Sequence, residues 1–312
     1  MRIYRNLNDF QSAKPIITVG IFDGVHIGHS MILSRLIETA KLLNGESVVL
    51  TLWPHPQFVV KGYKDKIRLL NTLEEKITLL EEAGVGHLII YPFTKELSEM
   101  GSREFVDNVL ITNLRMDTLV VGYDNHLGKG QDGDFWQLKK YSEDLGFNLV
   151  RVNEEIVGDL KVSSTKIRVA LRAGDIEKAN LLLGYKYAFS GKVVEGNKLG
   201  RTIGFPTANI EPEDNNKVIP EEGVYAVEVN INGKEYHGLL NRGTRPSVEN
   251  SDGIETIEVH ILNFKKDIYG ERITVRYVKK IREEFKFPNL EKLKDEIKKD
   301  REIALEIFKN GK

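Results

Sequence analysis

The chain has 312 residues, with 45 Lys and Arg against 46 Asp and Glu, a formal net charge of −1 and no cysteine. The even charge predicts neither nucleic-acid binding nor binding to an anionic membrane, and the lack of cysteine excludes disulfides, thiolate catalysis and Cys-ligated zinc and is typical of a cytoplasmic protein. There is no run of about 18 apolar residues to predict a membrane span, the first ten residues do not resemble a signal peptide, and the length predicts two domains.

The first half of the sequence alternates predicted strands with predicted helices. The predicted strands are Ile16–Phe22, Ser47–Leu52, His87–Tyr91 and Thr118–Gly122. The predicted helices are Ile27–Leu43, Leu73–Ala83 and Ser102–Ile111. This alternation predicts a Rossmann-like parallel sheet with right-handed crossovers. Ligands of such sheets bind at the loops that follow the carboxyl ends of the strands, so we expect the functional residues there.

The pattern changes in the second half of the sequence. Two predicted helices, Val162–Ala170 and Asp175–Leu183, precede a series of predicted strands and a final helix. The strands are Lys192–Glu195, Gly223–Ile231, Tyr236–Leu240, Thr256–Phe264 and Glu271–Ile281, and the helix is Asn289–Phe308. Asn232-Gly233 predicts a tight hairpin, and the series predicts a small antiparallel barrel or sandwich. We place the domain boundary after Gly184, which gives domains of residues 1–184 and 185–312.

A first group of candidate site residues lies where the first predicted strand turns into a helix. Glycines in such a turn let the backbone approach phosphate oxygens, and the helix N-terminus attracts an anion. Two histidines three residues apart can donate hydrogen bonds to one phosphoryl group. The alternatives are a turn with two surface histidines, and a zinc site that lacks a nearby third ligand. The candidates are Gly20, Phe22, Asp23, His26, Gly28 and His29.

A second group opens the predicted helix near residue 163. Hydroxyls and backbone N–H groups at a helix start, with positive side chains beside them, suit a triphosphate. An ordinary capped helix with exposed basic residues is the alternative. The candidates are Ser163, Ser164, Thr165, Lys166 and Arg168.

A third group lies in the second domain. Gly200, Arg201 and Gly204 predict a tight loop around phosphates, and Thr207 and Asn209 offer the hard oxygen ligands that Mg²⁺ prefers. A turn-rich barrel loop is the alternative interpretation of this stretch.

A carboxylate follows on a later predicted strand. Alternation along Thr256–His260 places Thr256, Glu258 and His260 on one face of the strand. Glu258 could there accept a hydroxyl proton beside a bound nucleotide, although a solvent-facing glutamate is the commoner case.

Several stretches of the sequence carry a family resemblance. The GxFDGxHxGH-like residues 20–29 and the SSTxxR-like residues 163–168 resemble the HxGH nucleotidyltransferase superfamily, which transfers a nucleoside monophosphate from a triphosphate and releases pyrophosphate. The GRxxGFPTAN-like loop, Gly223-Val224-Tyr225 and the IEVH-like strand resemble riboflavin kinase. In this order, the motifs are similar over nearly the whole chain to the bifunctional bacterial riboflavin kinase/FAD synthetase family.

Further motifs of that resemblance are Thr51–Pro56, Gly122-Tyr123-Asp124, Asn241-Arg242-Gly243 and Asp267–Gly270. The resemblance implies that the C-terminal half phosphorylates riboflavin with ATP and Mg²⁺, with Glu258 as base and Thr207 and Asn209 on the metal. It implies that the N-terminal half adenylylates FMN to FAD, with His26, His29 and Arg168 at the transferring phosphates. The flavin contacts it implies are Pro54, His55, Pro56, Gly122, Tyr123, Asp124 and Asn125.

Three stretches differ from the commonest pattern of that family: Asn125-His126-Leu127, Arg242 and Ser247-Val248. Two other functions remain as alternatives. One is a related adenylyl- or cytidylyltransferase with a non-flavin acceptor, which leaves the second domain unexplained. The other is a flavin-binding regulator without ATP turnover, which the intact Thr207, Asn209 and Glu258 disfavour.

Overall fold

The computed structural model describes residues 1–60, 67–123, 127–153, 156–157, 160–196, 200, 203–245, 254–285 and 287–310. The chain divides into two compact units, Met1–Ser164 and Thr165–Lys312. This division comes earlier than the domain boundary expected after Gly184, which stays a prediction. None of the helices in the described part of the chain combines the length and the hydropathy that a membrane span requires.

The first unit contains a parallel sheet, which confirms the Rossmann-like prediction. In the described residues its strands are β1 (Arg2–Tyr4), β2 (Pro15–Gly20), β3 (Glu46–Trp53), β4 (His87–Pro92), β5 (Thr118–Val121) and β6 (Asn148–Arg151). They lie in the order β1-β4-β3-β2-β5-β6, and every pair is parallel. The chain moves outward from β2 on one side through β3 and β4 and on the other through β5 and β6. The point where the order reverses is therefore at β2 and β5, where ligands of such sheets bind.

Helices cover both faces of this sheet. They are α1 (Ile27–Leu42), α2 (Pro56–Val60), α3 (Leu73–Glu82), α4 (Lys95–Glu99), α5 (Ser102–Glu104), which continues as a π-helical segment (Phe105–Asn113), and α6 (Phe135–Leu145). Short 3₁₀ turns lie at Leu7–Asp9 and Lys129–Gln131, and a two-stranded pair is formed by β7 (Ile156–Val157) and β8 (Leu160–Lys161). Neighbouring residues of β2 belong to different hydrophobic clusters, Ile16 to one and Ile17 to the other. Both faces are buried, as a parallel sheet requires.

The second unit contains a closed antiparallel barrel. It is preceded by α7 (Ser164–Arg172), which begins at the last residue of the first unit, and α8 (Ile176–Leu183), and it is followed by α9 (Leu290–Asn310). The barrel strands are β9 (Ala188–Val194), β10 (Ala208–Pro212), β11 (Gly223–Ile231), β12 (Lys234–Arg245), β13 (Ile254–Ile261) and β14 (Arg272–Arg282), in the order β10-β13-β12-β11-β14-β9. The sequence left open whether these strands form a barrel or a sandwich, and the structure shows a barrel.

The barrel confirms two local predictions. Asn232 and Gly233 join β11 to β12 with φ of 49° and 79°, the positive values that a type I′ hairpin turn requires. Along β13, Ile257 and Val259 are buried while Glu258 stays partly exposed, so the predicted alternation holds. Glu258 therefore points away from the apolar interior.

The C-terminal helix α9 is joined to the barrel by a ring stack and an ion pair. His237 and Phe308 stack with ring centres 3.9 Å apart. Asp300, only 3% exposed, accepts hydrogen bonds of 3.0 and 2.8 Å from the guanidinium of Arg282. A buried carboxylate of this kind is stable only with its partner in place.

We predict that Asp300→Asn lowers the free energy of unfolding by about 2–4 kcal/mol, because the substitution removes a charged acceptor from a buried pair. The measurement is urea denaturation of the full chain followed by circular dichroism. Asp295→Asn is the matched control, since Asp295 lies on the same helix in an exposed pair with Lys298 and should change stability little. Equal effects of the two substitutions would contradict the role assigned to Asp300.

Candidate functional site

The loop between β2 and α1 follows the carboxyl end of the central strand and adopts an unfavourable backbone. Phe22 and Val25 have φ of 51° and 31°, and Gly24 has 89°. Side chains other than glycine rarely adopt such values, and they persist only where surrounding contacts hold them. Phe22 and Val25 are both buried, at 2% and 4% exposure. The loop is thus anchored by its apolar side chains at two strained positions.

Polar contacts hold the middle of the same loop. The Asp23 Oδ1 atom accepts hydrogen bonds from the backbone amides of Leu70 and Asn71, at 3.0 and 3.3 Å. The Ser164 hydroxyl donates to the Asp23 carbonyl at 2.8 Å. The structure therefore brings together Asp23 and Ser164, two of the predicted site residues, and uses the Asp23 carboxylate to fix the loop.

The start of the loop is held through the carbonyl oxygen of Ile21. It accepts hydrogen bonds from the Thr51 hydroxyl at 3.2 Å and from the Lys76 ammonium at 2.7 Å. Lys76 is 1% exposed, and its Nζ lies 5.0 Å from the centre of the Trp53 ring. Burial lowers the pKa of Lys76 to about 8, and the Asp23 carboxylate partly opposes this shift.

The sequence analysis did not identify Lys76, Leu70 or Asn71. A signal for Lys76 exists, because the buried residues of α3 are Leu73, Lys76 and Leu80, at the spacing of one helical face. A lysine at a core position of an amphipathic helix indicates a buried charge with a specific partner.

The paired histidines lie at the first turn of α1. His26 is the N-cap of the helix, and its Nδ1 accepts a hydrogen bond from the backbone amide of His29 at 3.4 Å. Because Nδ1 accepts, the ring hydrogen of the His26 imidazole lies on Nε2, which makes Nε2 the donor atom of this ring. The two imidazoles stack with centres 3.8 Å apart. A Cβ at Gly28 would lie 3.3 Å from the His26 ring, so glycine gives this ring its room.

His29 is held in its neutral form. Burial keeps the pKa of the His29 imidazole well below its usual range, and repulsion from His26 and Lys76 lowers the pKa further. Neutral imidazoles donate single N–H hydrogen bonds and so can polarise an anion without two positive charges in contact. The alternative of a zinc site finds no support in the described ranges, where no group of three or more His, Asp or Glu side chains could hold a metal ion.

The predicted flavin residues that the structure describes lie at the same edge of the sheet. Pro54, His55 and Pro56 follow the carboxyl end of β3, and Gly122 and Tyr123 follow that of β5, the two strands that flank β2. The Nδ1 atom of the buried His55 accepts a hydrogen bond from the backbone N–H of Gln57 at 3.2 Å. Asp124, Asn125 and His126 lie outside the described residues. The flavin contacts stay predictions.

The remaining triphosphate candidates lie at the start of α7. Ser163 directly precedes the helix, and Ser164 contacts the β2–α1 loop as described above. Thr165 is exposed and Arg168 is 7% exposed, and both belong to the second unit. Their roles at the phosphates stay predictions.

In the second unit, the glycine-rich stretch forms a closed turn. The Gly200 carbonyl accepts from the amides of Ile203 and Phe205 at 3.3 and 2.8 Å, and Gly204 has a φ of 89°. A Cβ at Gly200 would lie 2.2 Å from the Phe205 carbonyl oxygen, so only glycine fits this close approach. Arg201 lies outside the described residues.

The predicted metal and base residues of this unit lie beside one another. The Thr207 hydroxyl donates to Glu258 Oε2 at 3.0 Å, and Asn209 pairs directly with Glu258 across β10 and β13. A Cβ at Gly196 would lie 2.1 Å from the Asn209 amide nitrogen, so a glycine that the sequence analysis missed gives this side chain its space. The Thr207 hydroxyl thus contacts the Glu258 carboxylate, and Asn209 occupies the paired position on the neighbouring strand.

Two neighbouring side chains, His260 and Arg242, have hydrogen-bond partners of their own. His260 has a pKa lowered by burial, and its Nδ1 donates to the Pro206 carbonyl at 2.8 Å. Arg242, which the sequence analysis marked as a departure from the commonest pattern of the family it resembles, donates to the Pro220 carbonyl at 2.5 Å and to Glu255 at 3.0 Å. The unusual arginine therefore has structural partners of its own. Ser247 and Val248 lie outside the described residues.

Two different protein families match the two parts of the chain in which the candidate sites lie. The family described as FAD synthetase matches residues 9–166, and the family described as riboflavin kinase matches residues 183–308. Two curated relatives are named bifunctional riboflavin kinase/FMN adenylyltransferase. The protein of Listeria monocytogenes is 35% identical over 96% of this chain and 95% of its own, and that of Escherichia coli (strain K12) is 37% identical over 99% and 98%.

A solved structure extends the likeness to the fold of the whole chain. A crystal structure titled as a macrolide-efflux protein from Streptococcus pneumoniae superposes with a TM-score of 0.88, at 29% identity and over 97% of both chains. The sheet unit and the barrel unit therefore occur together in at least one other chain of known structure.

The neutral state of His29 predicts a pH dependence of stability. A histidine whose pKa is lower in the folded than in the unfolded chain binds its proton more readily after unfolding, so the free energy of unfolding falls as the pH drops below about 6.5. We expect wild type to lose about 1 kcal/mol more per pH unit than His29→Asn between pH 6 and pH 5. Urea denaturation at each pH measures this difference, and parallel slopes for the two proteins would contradict a neutral, buried His29.

Proposed function

The chain belongs to the family of bifunctional riboflavin kinases/FMN adenylyltransferases, and we propose that it converts riboflavin to FMN and FMN to FAD at two separate sites. The observation that carries the proposal is that each unit, within the range that the corresponding family matches, contains a group of side chains suited to a nucleotide phosphate. The sheet unit has the histidine pair on its strained loop, and the barrel unit has Thr207 and Asn209 around Glu258.

Adenylylation belongs to the sheet unit. A phosphate oxygen of FMN attacks the α-phosphorus of ATP, the bond from that phosphorus to the bridging oxygen breaks, and pyrophosphate leaves. His26 and His29 donate N–H hydrogen bonds to the oxygens on which charge develops, with the N-terminus of α1 behind them. Since this transfer needs positioning more than covalent chemistry, a rigid loop suits it.

The other predicted residues of this unit have supporting roles. Gly20, Phe22, Asp23 and Gly28 shape the loop that faces ATP, while Ser163 and Ser164 hold its phosphates. The residues at the ends of β3 and β5 hold the flavin. ATP as the adenylyl donor favours a cytoplasmic location.

Phosphorylation of riboflavin belongs to the barrel unit. Glu258 takes the proton of the ribityl hydroxyl, the freed oxygen attacks the γ-phosphorus of ATP, and ADP leaves. We expect the turn that contains Gly200 and Gly204 to lie along the ATP phosphates, and Arg201 stays a predicted contact of the same phosphates.

A magnesium ion fits the oxygens beside Glu258. The Thr207 hydroxyl uses its hydrogen on Glu258, which leaves its lone pairs available to a cation. The Asn209 side-chain oxygen would be the second hard ligand. The ion would neutralise negative charge on the ATP phosphates.

The two-site proposal predicts separable activities. We expect Glu258→Gln to lower FMN formation from riboflavin by at least about 10²-fold and to leave FMN adenylylation unchanged, and His29→Ala to do the reverse by about 10²–10³-fold. Chromatographic separation of riboflavin, FMN and FAD after incubation with ATP and Mg²⁺ measures both.

Wild type that forms neither FMN nor FAD would refute the proposed function. A folded Glu258→Gln protein that loses both activities would refute the separation into two sites. Thr256→Ser serves as the control, because Thr256 lies on the same strand face as Glu258 and donates to the Gly243 carbonyl in a long contact of 3.4 Å.

A further inference from the structure

Lys76 is a buried charge that neither proposed reaction uses. It lies on the core-facing side of α3, in line with Leu73 and Leu80, at 1% exposure. Removing an ammonium from water is costly, and a lysine in the first turns of a helix also meets the positive end of the helix dipole. An apolar side chain at this position would avoid both costs, so the charge itself is the feature that needs explanation.

Hydrogen bonds connect α3 and the residues just before it to the loop between β2 and α1, with donors and acceptors on both sides. The Lys76 ammonium donates from α3 to the Ile21 carbonyl at 2.7 Å. In return, Asp23 in the loop accepts from the amides of Leu70 and Asn71, just before α3. This reciprocal clamp fixes the loop immediately before its strained segment, at Ile21, and within that segment, at Asp23.

The charge of Lys76 also acts on the histidine pair. It is close enough to lower the proton affinity of His29 by repulsion. In the part of the chain that the structure describes, the three N–H groups of the Lys76 ammonium have one hydrogen-bond acceptor, the Ile21 carbonyl. The same ammonium lies 5.0 Å from the centre of the Trp53 ring. A positive charge in a water-poor setting acts strongly on negative charge that develops nearby.

We propose that Lys76 is a positioning residue for adenylyl transfer: its ammonium holds Ile21 so that His26 and His29 face the α-phosphate, and its buried charge supports them as phosphate charge develops. This inference rests on the proposed function of the sheet unit. It differs from a purely structural role, in which Lys76 would only stabilise the fold and an uncharged side chain of similar length could replace it.

The test compares Lys76→Met with wild type and with Lys41→Met, an exposed lysine at the end of α1. We expect Lys76→Met to lower kcat for FMN adenylylation by about 10–10²-fold, with the KM for ATP changed less than about threefold because mainly transition-state stabilisation is lost. The same preparations should phosphorylate riboflavin at the wild-type rate. A folded Lys76→Met protein with kcat within twofold of wild type would overturn the proposal.

A second measurement does not depend on activity. In an NMR titration of the histidine rings, the pKa of His29 should rise in Lys76→Met and stay unchanged in Lys41→Met. An unchanged His29 titration in Lys76→Met would overturn the electrostatic part of the inference. If wild type formed no FAD, the proposed function would fail on that result, and the titration would still decide whether Lys76 acts on His29.

A third measurement uses wild type and so holds even if Lys76→Met does not fold. The titratable groups that face Lys76 are Asp23 on the loop and His29 on α1, while Trp53 on β3 is uncharged. Because kcat/KM follows groups of the free enzyme, it should fall for FAD formation as the pH rises above about 8 and the ammonium of Lys76 loses its proton. A profile for FAD formation that stays level up to pH 10 would contradict the inference.

Discussion

The strained loop between β2 and α1 is the constraint on which the proposed adenylylation site depends. Left to itself, a chain with Phe22 and Val25 at positive φ would relax. It is held by two buried apolar side chains and by hydrogen bonds to Ile21 and Asp23 from three other segments. Because the loop ends in the N-cap of α1, the same contacts that hold the backbone also set the direction of the imidazoles.

The barrel unit solves a similar problem with different chemistry. There, glycines make a closed turn possible, and the hydroxyl of Thr207 orients the carboxylate of Glu258. Under the proposed function, one unit offers nitrogen donors to a phosphate, while the other offers oxygens to a cation and a base to a hydroxyl. This difference fits two transfers that attack different phosphorus atoms of ATP.

The sequence predicted those elements whose signal is local. The apolar run of β2, the helix after His26 and the Asn232-Gly233 hairpin were placed to within a few residues, because periodicity and turn chemistry specify them. It missed β1, β6 and β10, which are short and take their pairing from distant strands. It also missed Lys76, Leu70 and Asn71, since their contacts with the loop cross about 50 residues of chain. The motif residues were found by their types, but the clamp that orients them exists only in the folded unit.

The central claim is that this clamped loop presents both imidazoles to a nucleotide phosphate. It is tested most directly by ¹⁵N NMR of the histidine rings during titration with α,β-methylene ATP, whose phosphates cannot be transferred as an adenylyl group. The account predicts that the resonances of His26 and His29 shift as the nucleotide binds, while the more distant His87 stays unchanged. Nucleotide binding that left the resonances of both His26 and His29 in place would contradict it.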